Sequence, residues 1–220
     1  MTSLNLSPKA LMLTFLPRTE KTGYFFSKSS TLITATELMN ETPSNKTVIL
    51  TIDYEFIPAT TYPPSFRNLT SVWLDVGGCG DSDVPITQEN KTFTLSTPQT
   101  WIMPATGLYH LNPGRIVFAE GHLHDAGTHI EIVRNKEEVL CNSMATYGAT
   151  SGFIEKEGDV EHISNMTSCG GDVVKAGDEF DLRAYYDMTT RPGMREADGT
   201  LAPVMGIAIL YIAPRDEGSS

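Results

Sequence analysis

The residues with the most chemical content lie in one segment, Arg115-Ile116-Val117-Phe118-Ala119-Glu120-Gly121-His122-Leu123-His124-Asp125-Ala126-Gly127-Thr128-His129. The run from Ile116 to Leu123 reads as a strand, and alternate side chains of a strand share a face. His122 and His124 therefore project together, on the side of Ile116 and Phe118. Two imidazoles on an apolar face are unfavourable to bury without partners. A metal ion gives a nitrogen of each ring something to coordinate; a surface or hydrogen-bonded histidine pair is the bland alternative. No residue is singled out as catalytic.

A third ligand has to come from another strand. In Val204-Met205-Gly206-Ile207-Ala208-Ile209, residues Met205, Ile207, Ile209 and Tyr211 fall on one face, and Gly206 lets a neighbour approach closely. Taken alone, Met205 reads as a core methionine. A zinc ion would need no thioether and would recruit Asp125, His110 or His129 instead. His129 is expected to face away from the core, and His162, beside the acidic stretch 155–161, to face solvent. Tyr185, Tyr186 and Asp187 are candidates for lining the site, with core packing the alternative for the tyrosines. A cupin places a Glu three or four residues beyond the second His; those positions hold Thr128 and His129, which weakens that reading.

The elements that must position these groups are short strands. Apolar residues alternate from Val48 to Phe56, and further strands are expected at Leu11–Leu16, Thr31–Ala35, Val72–Val76, Thr92–Leu95, Ile116–Leu123, His129–Arg134, Phe180–Tyr186 and Val204–Ile212. Turn chemistry separates them, as at Gly77-Gly78, Asn112-Pro113-Gly114 and Arg191-Pro192-Gly193. Only Ala35–Asn40 hints at a helical turn. The expected fold is all-β, an antiparallel jelly-roll-like sandwich in a single main domain over 47–214. Residues 1–46 would form an extension packed on it, and 215–220 a disordered tail.

Composition narrows the function. The chain of 220 residues carries 27 Asp and Glu against 16 Lys and Arg, a formal charge of −11. Such a chain repels phosphate backbones, so nucleic acid is not an expected partner. The longest apolar stretch, Val204–Ala213, is too short to span a bilayer as a helix. Six of the nine asparagines (Asn5, Asn40, Asn45, Asn68, Asn90 and Asn165) open an Asn-x-Ser/Thr triplet. That excess favours a secreted, glycosylated protein, although the residues after Met1 do not form a signal peptide. Of the three cysteines, Cys141 and Cys169 are the preferred disulfide in an oxidising compartment, worth roughly 3 kcal/mol in the chain-entropy model. Cys79 is left over, free or paired outside this chain.

A resemblance now adds to these residues. His122-Leu123-His124-Asp125-Ala126-Gly127, followed by Ile130-Glu131-Ile132-Val133-Arg134-Asn135, resembles the C-terminal, oxygen-activating copper domain of the copper type II, ascorbate-dependent monooxygenases, the peptidylglycine alpha-hydroxylating and dopamine beta-monooxygenase family. The match is closer to the plant stress-up-regulated nodulin-like family and its fungal relatives. It runs through Trp73-Leu74-Asp75-Val76, Cys79, Gly121–Asp125, Cys141-Asn142-Ser143, Tyr147-Gly148, Met166-Thr167-Ser168-Cys169 and Val204-Met205-Gly206. The resemblance implies one copper ion bound by His122, His124 and Met205. A soft thioether favours monovalent copper over zinc. The hydroxylases hold a second copper partly on an adjacent His-His pair. Here five histidines occur, and of those outside the proposed site, His110, His129 and His162, no two are adjacent. The expectation is a secreted, monomeric, mononuclear copper protein without the second centre. It would be either an oxygen- or peroxide-using oxidoreductase, served by an external electron donor and acting on a small-molecule, peptide or polymer substrate, or a non-catalytic copper carrier. A structural extracellular sandwich is the alternative from a different class.

Overall fold

A computed structural model describes residues 21–25, 63–78, 81–87, 89–100, 114–149, 154–155, 160–196 and 198–214, with isolated positions between 45 and 61. Every regular element among them is a strand: β1 (Thr22–Gly23), β2 (Arg67–Asn68), β3 (Thr70–Asp75), β4 (Thr92–Pro98), β5 (Gly114–Leu123), β6 (Gly127–Arg134) and β7 (Glu138–Tyr147). The series continues with β8 (Ile154–Glu155), β9 (Val160–Glu161), β10 (Ile163–Met166), β11 (Ser168–Cys169), β12 (Val173–Val174), β13 (Phe180–Asp187) and β14 (Gly206–Pro214). One five-stranded sheet runs β11-β5-β14-β3 with β12 also on β5, and the other runs β10-β7-β6-β13-β4. The pairings within both are antiparallel. β1 and β2 form a small parallel pair. No helix among the described residues is long and apolar enough to cross a membrane.

The two sheets face one another and share a single core. Leu74, Ala119, Leu123, Ala208 and Leu210 contribute from one side, and Ile130, Ile132, Leu182, Ala184 and Tyr186 from the other. This is the sandwich expected from the sequence, with inward apolar residues alternating against outward ones. The expected disulfide is present between Cys141 on β7 and Cys169 on β11, with Cα atoms 5.6 Å apart, and it ties the two sheets together. Ser143, fully buried on β7, reaches across as well. Its Oγ accepts the main-chain N–H of Gly121 (3.0 Å) and donates to the Thr167 carbonyl (2.6 Å).

Gly121, beside His122, marks a close approach of the sheets. A Cβ there would stand 2.0 Å from Ile130 Cγ2 and 3.3 Å from Ser143 Cβ, so β5 and β6 pack this closely only because the position has no side chain. Gly121→Ala is expected to destabilise the fold by about 1–3 kcal/mol through overpacking, read as a lower denaturant midpoint. An unchanged midpoint would contradict this packing.

Three sequence readings need correction. His122 does not share a face with Ile116. The register of β5 against β14 shifts between the Tyr211↔Phe118 and Ile212↔Ile116 pairs, a bulge that leaves Val117 as the extra residue. Ile116 consequently points into the core, while Phe118, Glu120 and His122 lie on the outer face. The alternating run at 48–56 is not a strand in its described part: residues 49–51 make no ladder, and Ile49 and Leu50 are exposed. Alternation signals a half-buried ribbon but cannot supply the neighbouring strand a ladder requires. β7, which the sequence reading passed over, is central to its sheet. The expected elements at 11–16, 31–35 and 35–40 lie outside the described residues, as does the tail at 215–220.

Candidate metal centre

His122 is the penultimate residue of β5, and His124 lies one residue beyond the strand's end. Their rings stand edge to face with centroids 5.9 Å apart and planes at 89°. β14 pairs alongside, with Ile207 opposite His122 and Gly206 opposite Leu123, the last pair of the ladder. Met205 and His124 thus each come one residue beyond that final pair. A web of main-chain bonds holds the Met205 segment. Val84 exchanges both ladder bonds with Val204 (2.9 and 3.0 Å), and the Gly206 carbonyl accepts from Val76 N (2.9 Å). Gly206 is needed at this spot, since a Cβ would lie 2.7 Å from Ala184 Cβ and 2.8 Å from Val76 Cγ2. The sequence expectation that Gly206 permits a close approach is thereby met.

His124 Nδ1 lies 2.8 Å from the carbonyl oxygen of Pro203. A carbonyl only accepts, so Nδ1 carries the hydrogen, and in the neutral ring the lone pair sits on Nε2. This fixes the tautomer and orients the ring in the way that histidine ligands are commonly oriented. For His122, the crowding of protein around the ring disfavours imidazolium, with the neighbouring His124 acting in the same direction. Together they push its pKa down to about 4 from an ordinary 6.5. The ring also keeps solvent-exposed surface, so water screens part of this, and the direction is what matters: His122 is a neutral nitrogen donor at pH 7.

The sign of the pH dependence follows. Between pH 6.5 and about 4 the unfolded chain binds a proton at His122 that the folded chain does not, so this group lowers stability as pH falls through that window. In the metal-free protein, an NMR titration is expected to give His122 a midpoint well below 6.5. A midpoint at or above 6.5 would contradict the environment described.

The turn carrying His124 is anchored by Asp125. Gly127 N–H donates to the His124 carbonyl (3.1 Å), and Ala126 takes a positive φ of 70°. Asp125 Oδ1 accepts from Ile163 N (3.0 Å), and its Oδ2 meets His162 Nδ1 at 2.5 Å. His162 is therefore not the solvent-facing residue the acidic flank implied; its side chain is only 13 % exposed, against Asp125. Only the position of Asp125 directly after His124 hinted at this anchoring role.

The remaining candidates stand elsewhere. His129 lies on β6 in the opposite sheet and faces outward as expected, stacked on Tyr185 with centroids 4.1 Å apart. Tyr185 donates to Glu131 (2.8 Å) on that same outer face. Asp187 caps the next turn through Thr189 N and Oγ1. Arg134 and Asn135 occupy the far end of β6, where Arg134 pairs with Glu138, donates to the Val173 carbonyl, and opens the β6–β7 hairpin. Asn135 and Lys136 both have positive φ in that hairpin, the type I′ geometry. The Arg-Asn pair thus closes a turn away from the histidines. Asp75 of the Trp73–Val76 motif is buried, accepting from Gly77 N (2.6 Å) and Ser82 Oγ, and Gln99 brackets its main chain. His110 and Cys79 lie outside the described residues. Among the described residues, no three His, Cys, Asp or Glu side chains converge as a metal site, so the zinc set with Asp125 or His129 has no geometric support. Of the sequons, Asn5 and Asn40 lie outside the described residues, whereas Asn45, Asn68, Asn90 and Asn165 are all exposed.

Two curated fungal proteins are similar to this chain: the "Probable copper-dependent oxygenase M1" of a Phoma strain and the "Probable copper-dependent oxygenase clz3" of Cochliobolus lunatus. Each is 32% identical over 195 residues, 87% of this chain. The chain is related to proteins named copper-dependent oxygenases. It covers 46% of the first and 57% of the second, so it spans about half the length of the curated relatives it matches. No protein-family model and no solved structure matches it. The relationship and the all-β sandwich agree with what the sequence led one to expect.

Proposed function

We propose that this chain is a mononuclear copper-binding β-sandwich of an oxidoreductase, with His122, His124 and Met205 as the metal ligands. The observation that carries the reading is the pair of imidazoles at the open end of β5. His122 is held neutral, and His124 has Nδ1 occupied by the Pro203 carbonyl, leaving Nε2 for a metal. Continuing the β14 alternation past Gly206 by one residue assigns Met205 to the histidine face, opposite His124. Two imidazoles and a thioether form a borderline-to-soft donor set, which suits copper and stabilises its monovalent state. The relationship to proteins named copper-dependent oxygenases supports the same element.

A copper ion held by these donors would supply one-electron chemistry toward dioxygen or peroxide. The chain's own part is to present two imidazoles at a fixed angle, to keep the Nδ1 hydrogen of His124 engaged, and to leave one side of the site open on the outer face of the sheet. An external reductant and an organic substrate complete this reading, and the exposed sequons support a secreted, glycosylated protein.

The test is Met205→Ala. Monovalent copper binding is expected to weaken by about tenfold or more as the soft donor is lost, while the histidine pair still takes up divalent copper and the fold persists. Ascorbate-driven oxygen consumption above that of free copper should disappear with it. Wild-type monovalent affinity in the variant would remove Met205 from the ligand set. Stoichiometric copper without any turnover in the wild type would favour a carrier.

A further inference from the structure

Tyr186 sits on β13, in the sheet opposite the histidines, with its ring buried and stacked on Phe93 at a centroid distance of 5.1 Å and an interplanar angle of 7°. Its hydroxyl donates to the carbonyl oxygen of Met205. The next residue on the same strand, Asp187, donates its N–H to the Ala126 carbonyl (2.8 Å) in the turn that carries His124. β13 therefore holds both segments that lie just beyond the last pair of the β5–β14 ladder, the Met205 carbonyl through the Tyr186 hydroxyl and the His124 turn through Asp187 N–H. Past that pair no ladder bond fixes the spacing of the two strands, and these two bonds from β13 take over the task.

We propose that Tyr186 is the positioning residue of this centre, setting the separation between His124 and Met205 from the opposite sheet. The inference rests on the copper reading above. Three features make the bridge rigid. The ring is clamped by Phe93; the next residue, Asp187, is tied through its N–H to the Ala126 carbonyl (2.8 Å) in the turn that carries His124; and β13 approaches β14 closely through Ala184 against Gly206. The His124 side chain adds a second link to the same stretch through Pro203. Loss of the hydroxyl leaves the Met205 carbonyl without this donor and loosens its placement relative to His124. A thioether contributes most to the monovalent ion, so the monovalent state suffers more than the divalent one.

The experiment compares wild-type protein and Tyr186→Phe, both loaded with copper. It measures monovalent affinity by chelator competition, divalent affinity, and the reduction potential. The phenyl ring keeps the Phe93 stack. The expected result is an approximately tenfold loss of monovalent affinity with divalent affinity nearly unchanged, hence a potential lower by about 59 mV. A lower melting temperature with an unchanged potential would show a purely structural tyrosine and overturn the proposal. If the variant does not fold, Phe93→Leu, which loosens the ring but keeps the hydroxyl, provides the second measure. A smaller fall in potential supports the proposal, and no change overturns it. Tyr185→Phe, on the far face, is the control and should leave the potential alone. Wild-type protein that takes up no copper overturns the metal reading and this inference with it, whereas copper binding unaffected by Y186F overturns the role of Tyr186 alone.

Discussion

Alanine at both His122 and His124 is expected to abolish stoichiometric copper uptake, weakening binding by more than about a hundredfold, while the sandwich stays folded. The metal effect is large because two of the three proposed donors vanish together, and even orienting groups around a ligand are commonly worth 10–100-fold. The fold effect is small because neither ring belongs to the core shared by the two sheets. The β5–β14 ladder runs through main-chain atoms that alanine retains, and the one bond lost to the fold is that of His124 Nδ1 to Pro203. Elemental analysis after copper loading, with circular dichroism on the same sample, separates the two effects. Unchanged uptake would place any copper elsewhere and leave the histidine pair as surface residues.

Removal of the disulfide is the largest stability change expected. Cys141→Ala with Cys169→Ala opens a cross-link between strands in opposite sheets, with a sequence separation of 28. In the chain-entropy model that amounts to about 3 kcal/mol, and for a chain of this size about 10 °C in melting temperature. Alanine is the better replacement at Cys141, since the position is buried and a serine hydroxyl there would add an unrelated penalty. β11 pairs with β5 only at Glu120 and Ala119, so the histidines remain supported by β14 and copper uptake below the new melting temperature should stay stoichiometric. Equal melting temperatures for the oxidised protein and the double variant would contradict a stabilising cross-link.

The strands nearest the site were the most legible in the sequence. β5, β6, β13 and β14 each carry strong alternation or dense β-branched runs, and each was expected within a few residues of its bounds. β7 was not, because its inward positions include Ser143, a polar residue whose reason for burial is a pair of main-chain groups from distant strands. The bulge at Val117 was equally invisible: one extra residue against β14 changes which side chains share the histidine face, and no local pattern announces it. His162 was misread from its acidic neighbours, since what decides its burial is Asp125, 37 positions away. Tyr186 was among the residues the sequence offered for lining the site, but nothing in the sequence named the partner of its hydroxyl. The Met205 carbonyl lies just before β14, and only the assembled sheets bring it to the hydroxyl. The two histidines of the proposed site were suggested by residue type and spacing, because His-x-His on a strand fixes a shared face, whereas Met205 read alone as a core methionine and joined the proposed set only through the resemblance.

X-ray absorption at the copper edge of protein loaded with one equivalent of monovalent copper tests the proposed centre most directly. The account predicts a first shell of two imidazole nitrogens and one sulfur, with the sulfur scatterer absent in Met205→Ala. A shell of nitrogen and oxygen alone, or a sulfur that survives the loss of Met205, would contradict it.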